Sequence, residues 1–203
     1  MTDAGRSIGV MTVTREPRMH NDVAKVLGEL RQDHKNMARL LNLLERESNR
    51  IYDGGDPDIE LMGDVMHYMT IYPDTVHHPK EDRVYAELKN VRPELSGGFA
   101  RIIVDHRTIA EQSMKLRNEL AMIDAGAMIK RTQVVGDALR YVNNLRSHMQ
   151  WEELDLFRRI DEMIRDGHTL LNTAELPNIA DPVFGADVEK RFKRLFARIT
   201  SEY

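Results

Sequence analysis

The chain has 203 residues, 41% of them hydrophobic and 31% charged, with a formal net charge of -4; this mix fits one soluble domain, not a disordered or fibrous chain. The slight acidity offers no field for nucleic acid or an anionic membrane surface. The lack of any cysteine excludes disulfides, thiolate metal sites, iron–sulfur ligation and thiol nucleophiles together, so any metal must be held by nitrogen and oxygen.

Met1 to Arg18 lacks the apolar centre and small-residue cleavage site of a signal peptide. No run approaches the roughly 18 apolar residues of a membrane span, and a cytoplasmic location is the expectation. Residues 1–20 carry Thr, Gly, Arg and Pro17 without helical periodicity and read as an N-terminal arm. From the Asn21-Asp22 cap, apolar residues fall at Leu27, Leu30, Met37, Leu41 and Leu44, and His34 fills the gap in that series. Asp53-Gly54-Gly55-Asp56-Pro57 ends this helix near Tyr52.

The second segment runs from Asp58 to Lys89 and contains His77-His78-Pro79-Lys80-Glu81-Asp82. His77 and Glu81 are four residues apart and share a helix face. Pro73 and Pro79 each remove a backbone donor and crowd the carbonyl four residues back. A loosened helix beside His77 and His78 would let both rings point inward. After Ser96-Gly97-Gly98, the third segment shows Phe99, Ile102, Ile109, Leu116, Leu120 and Ile123, with His106 between Ile102 and Ile109. Ala125-Gly126 closes it.

The fourth segment begins near Met128 and leads through Val134, Ala138, Tyr141 and Leu145 to His148 and Glu152, again a His/Glu pair at i and i+4. Leu156, Ile160 and Met163 continue that face to Asp166-Gly167. Four long amphipathic segments joined by short turns predict an all-α, up-down-up-down antiparallel four-helix bundle over residues 21–166. Residues 167–203 form an extension with an amphipathic helix from Phe184 to Ile199, expected to dock on the bundle, or alternatively to make a homodimer contact.

Alternating chain direction brings His34, His77, Glu81, His106, His148 and Glu152 to one layer. Burying so many imidazoles and carboxylates without a cation would cost several kcal/mol per unpaired ionised group, which points to metal. Imidazoles with carboxylates suit iron, manganese, zinc or copper over calcium and magnesium. Imidazole-rich dinuclear iron, with each glutamate spanning two ions, is the first choice. Tyr72, Trp151 and Glu153 are candidates to support the ligands. Asp33 and Asp105, each directly before a histidine, are expected to point away, and His20, His67 and His168 fall off the ligand face.

The order H, then HHxxE, then H, then HxxxE, with the phrases Asp33-His34-Lys35-Asn36-Met37, His77-His78-Pro79-Lys80-Glu81-Asp82 and His148-Met149-Gln150-Trp151-Glu152-Glu153, resembles the hemerythrin-like HHE cation-binding family. The resemblance implies one iron on His34 and His77, the other on His106 and His148, bridged by Glu81, Glu152 and an oxo or hydroxo group. Such a centre would bind O2 or NO for sensing, storage or protection. The oxygen-carrying relatives have a second third-helix histidine where this chain has Ala110, which leaves His78 as the candidate fifth imidazole. Alternatives at the same centre are ferroxidase, peroxidase-like or NO-reducing chemistry, or an iron-responsive interaction protein that exposes or hides the C-terminal helix.

Overall fold

Helix α1 (Val23–Tyr52) starts at an Asp22 cap, whose Oδ1 accepts the Ala24 N–H at 2.8 Å. It ends in a turn that needs Gly54 at φ 77, a left-handed conformation that glycine adopts without steric cost. Asp58 caps α2 (Ile59–Tyr72) by accepting the Leu61 N–H at 3.0 Å. The structure is a computed structural model that describes residues 20–172 and 176–201. The expected N-terminal arm lies outside those residues except for His20.

The second rod is not one α-helix. Between α2 and α3 (His78–Val91) the backbone widens into a π turn over Pro73–His77, closed by the His78 N–H donating to the Pro73 carbonyl. Pro79 has no N–H to offer the turn before it, and the chain responds by taking in one extra residue. Helix α4 (Phe99–Asp124) forms the third rod. The fourth consists of α5 (Arg131–Trp151), a second π turn over Glu152–Leu156 that the sequence did not signal, and α6 (Phe157–Arg165).

Helix α1 packs beside α2 and α5, and α4 packs beside the same two, giving the antiparallel four-helix bundle expected from the amphipathic segments. Leu27, Leu30, Met37, Leu41 and Leu44 of α1 are all buried, as their spacing requires. The core falls into two parts. One is built from Val23, Val26, Leu27, Leu30, Val84, Tyr85, Leu88, Ile102 and Phe157 among others. The other, larger part begins at Met37 on α1, Val76 on the second rod, Ile109 on α4 and Met149 on α5. The His/Glu layer lies between them on every rod, because His34, His77, His106 and His148 interrupt the apolar series at corresponding heights.

A short antiparallel pair, β1 (His20–Asp22) with β2 (Leu170–Asn172), ties the start of α1 to the segment after α6. The C-terminal helix is shorter than its apolar spacing predicts. A 3-10 turn at Lys190–Phe192 leads into α7 (Lys193–Thr200), whereas Pro182 to Glu189 is not helical. Asp181 Oδ1 accepts the N–H groups of Val183 and Phe184 at 2.8 Å each and holds that segment as a turn. Val183, Phe192, Leu195 and Ile199 are buried against the bundle. That face docks on the bundle, with Phe196 left exposed. No helix among the described residues is long and apolar enough to cross a membrane.

Candidate metal centre

Each rod supplies donors to the layer between the two cores. His34 comes from α1, His106 from α4, and His148 from α5, where it stands one turn before Glu152. His77 and His78 straddle the end of the first π turn, followed by Glu81. In a regular helix two adjacent side chains diverge by about 100°; here the underwound turn turns both rings inward, with centroids 5.6 Å apart. His78 then stacks on His106 at 4.0 Å, and His106 meets His148 at 4.8 Å. On the other side, His34 and His77 are 4.9 Å apart.

These donors form two groups that could each hold an ion: His34, His77 and Glu81, and His78, Glu81, His106 and His148. Glu81 belongs to both. Its Oε1 faces His77 Nε2 at 3.2 Å and His34 Nε2 at 3.6 Å, while Oε2 faces His106 Nε2 at 3.4 Å. Glu152 also spans the groups, but through one oxygen: Oε2 lies 3.5 Å from His34 Nε2 and 3.3 Å from His148 Nε2, while Oε1 lies 3.9 Å from His106 Nε2. Tyr85 donates to that Oε1 at 3.0 Å and fixes the carboxylate's rotation.

The imidazoles present Nε2 to the interior and turn Nδ1 towards a carboxylate. His34 Nδ1 lies 3.0 Å from Glu153 Oε1, His77 Nδ1 3.2 Å from Asp33 Oδ2, and His78 Nδ1 3.2 Å from Asp74 Oδ1. His106 and His148 follow the pattern at longer range, 3.8 Å from Asp82 Oδ1 and 3.6 Å from Asp105 Oδ2. A carboxylate behind the ring fixes its tautomer and raises the basicity of the inner nitrogen, as metal-binding histidines require.

Asp33 and Asp105 therefore do not point away, contrary to the sequence expectation. A residue one position before a ligand is turned by about 100°, which directs it at the neighbouring rod, where the back of another histidine lies. Tyr72 reinforces Asp33 at 3.4 Å, and Arg31 holds Glu153 and Asp161 at 3.5 and 2.8 Å. Trp151 is not at the metal side. It turns outward beneath Arg101, whose Cζ sits 4.2 Å from the ring centroid, and against Gly98, where an added Cβ would lie 2.9 Å from the indole. His67 packs against Phe192 and His168 pairs with Glu87, both away from the centre. The side chain of His20 lies outside the described residues. Tyr85, Asp74 and Phe157, which stacks on His34 at 5.2 Å and 10°, carry no motif and were not legible as site residues.

Buried charge without compensation shows where a cation belongs. Glu81 and Glu152 are fully buried, and Glu81 Oε1 and Oε2, Glu152 Oε2, and the Nε2 atoms of His34, His106 and His148 lack hydrogen-bond partners. Native interiors pair nearly all such atoms, and these converge on one volume. The metal-free protein has only protons to balance the layer. Burial opposes charge on His34, but Glu152, Glu153 and Glu81 overcome it and hold its pKa at about 11; for His77, Glu81 and Asp33 do the same, to about 9. Burial would lift Glu81, yet His77, His106 and His34 hold it well below the usual carboxylate range. His78, where burial prevails, drops to about 4. The donor set thus fits a divalent or trivalent cation: neutral imidazoles, ionised carboxylates, no thiolate.

A four-helix bundle with an inward imidazole–carboxylate layer defines a cation-binding protein. The chain belongs to the hemerythrin family: the profile of the hemerythrin HHE cation binding domain matches residues 25–160. No curated protein and no solved structure gives a match.

Proposed function

We propose that the chain holds two iron ions, bridged by Glu81 and Glu152, and binds a small diatomic ligand, O2 or NO, at one of them. The observation that carries this reading is the sharing of Glu81: one oxygen faces the His34/His77 group and the other faces His106. His78, His106 and His148 would hold the first ion and His34 and His77 the second. The second group, with two imidazoles to the first group's three, would keep more positions for an outside ligand. Iron in such a set supplies a redox-active centre able to take a diatomic ligand.

The surrounding residues suit that task. Phe157 lies flat on His34, and the Leu30, Val84 and Leu156 side chains of the smaller core keep bulk water from that side. Asp33 and Glu153 hold the Nδ1 sides of His77 and His34. The sequence pattern, with Ala110 in place of a histidine, favours oxygen activation over reversible binding. The position of His78, stacked on His106, brings the imidazole count back to five and favours ligand binding. Reconstitution with ferrous iron in the absence of oxygen, followed by NO or O2, should give new visible absorption bands that reverse when the gas is removed. A loaded protein whose spectrum is unmoved by either gas contradicts the ligand-binding reading; multiple turnovers of NO or peroxide replace it with an enzymatic one.

A second reading, metal-responsive control of the tail, draws on a specific chain of contacts. Asp181 in the tail accepts from Tyr68 at 3.0 Å; Tyr68 stacks on Tyr72 at 5.4 Å; Tyr72 donates to Asp33, which holds His77. Loading His77 would be felt at Asp181. Proteolysis of the tail at equal rates with and without iron removes this reading.

A further inference from the structure

A cavity of about 210 Å³ lies between α4 and α5, lined by Arg101, Asp105, Thr108, Asn144, Ser147 and His148. Ile109 also lines it; apart from the buried Ile109 and His148, the lining groups are polar and within reach of water. His148 is only 3% exposed, and neither of its ring nitrogens has a hydrogen-bond partner. The cavity thus leads from the surface to a donor of the centre.

Between mouth and floor stands one carboxylate. Asp105 Oδ2 faces Arg101 Nε at 3.1 Å on the outer side and His148 Nδ1 at 3.6 Å on the inner side. The same oxygen serves both, so a cation that takes it competes with Arg101. Arg101 has a second seat, because its guanidinium already lies over Trp151. It can give up the carboxylate and stay on the indole face, where a cation remains favourable.

We infer that this cavity is the port through which a divalent cation reaches the centre, with Asp105 as its first contact and the Arg101–Asp105 ion pair as the latch. The inference rests on the metal-binding reading above and adds the route. A single half-buried carboxylate in a cleft concentrates cations at its mouth, whereas Arg101 opposes them. Removing the two groups should therefore change the rate of uptake in opposite directions.

The test is stopped-flow mixing of the metal-free full chain with Co2+, followed by cobalt absorption for occupancy and by the fluorescence of Trp151, the single tryptophan, for the mouth. Asp105→Asn should slow uptake by about three- to tenfold and Arg101→Gln should speed it, with both differences shrinking in high salt. Arg101→Gln should reach the cobalt amplitude of the unaltered chain, which shows that this variant folds and that the centre itself is intact; Asp105→Asn, which also loses the carboxylate behind His148, is read by its rate at saturating cobalt. Glu111→Gln, the same charge change at an exposed position of α4 that does not line the cavity, should leave the rate alone. Unchanged rates at full amplitude overturn the port while leaving the centre standing. So does equal slowing by Glu111→Gln, or slowing by Arg101→Gln. A chain that takes up no cobalt overturns both the port and the centre.

Discussion

Asp33 illustrates how residues without a motif complete the centre. It is buried, touches no inward nitrogen, and is shared by His77 and Tyr72. Removing such a support typically lowers metal affinity 10- to 100-fold. Asp33→Ala should therefore weaken binding by about that factor in a competition titration against a coloured chelator, with helical content unchanged. An unaltered affinity would reduce Asp33 to a packing role. The ligand candidates themselves were legible because a histidine stands out against a leucine series at i, i+3 and i+4. Of the supports, Tyr72 and Glu153 were legible from their places beside the ligand motifs, whereas Asp33, Asp74 and Tyr85 look like any surface or core residue until the neighbouring rod is in place. The roles of Asp33 and Asp105 are hidden for the same reason: a single helix shows which way a side chain leaves, not what waits there.

At the scale of elements, the two π turns do for the second and fourth rods what a regular helix cannot. The prolines around His77 and His78 marked the first in advance, because a missing N–H and a crowded carbonyl are local effects. Nothing comparable marks Glu152–Leu156, where tertiary packing of Glu152, Leu156 and Phe157 selects the wider turn. The tail helix is shorter than its apolar spacing suggests, because that spacing continues through Phe184 and Val188 while Asp181 and Pro182 hold that stretch as a turn. A π turn carries one residue more than an α turn. Deleting Thr75, exposed within the first π turn, should restore a regular helix and keep α2 and α3 in phase. Either His77 or His78 would then leave the interior. The expected result is a folded protein of native helicity with lowered metal content. Full metal content in that variant would show that the π turn is not what aims the paired histidines.

For the whole molecule, protons and metal compete for one charge layer between two apolar cores. An imidazole must be neutral to ligate. His34 and His77, with pKa values of about 11 and 9, are protonated at neutral pH in the metal-free chain. Loading must then release protons, and affinity should rise with pH up to about 11. The stability of the metal-free protein runs the other way. Both folded values lie above the ordinary histidine value of about 6.5, so their contribution is complete below that pH and is lost as pH climbs through about 9 to 11. Thermal melts of metal-free protein should fall over that alkaline range, while loaded protein should hold. Parallel loss in both forms would mean that the layer is not where the cation binds.

The central claim is that two cations share Glu81 and Glu152, and equilibrium metal titration of the metal-free chain under anaerobic conditions tests it most directly. Two ferrous ions per chain are expected, with Glu81→Gln weakening both sites together because its oxygens face both imidazole groups. Saturation at a single ion, or loss of only one site in Glu81→Gln, would contradict a shared centre.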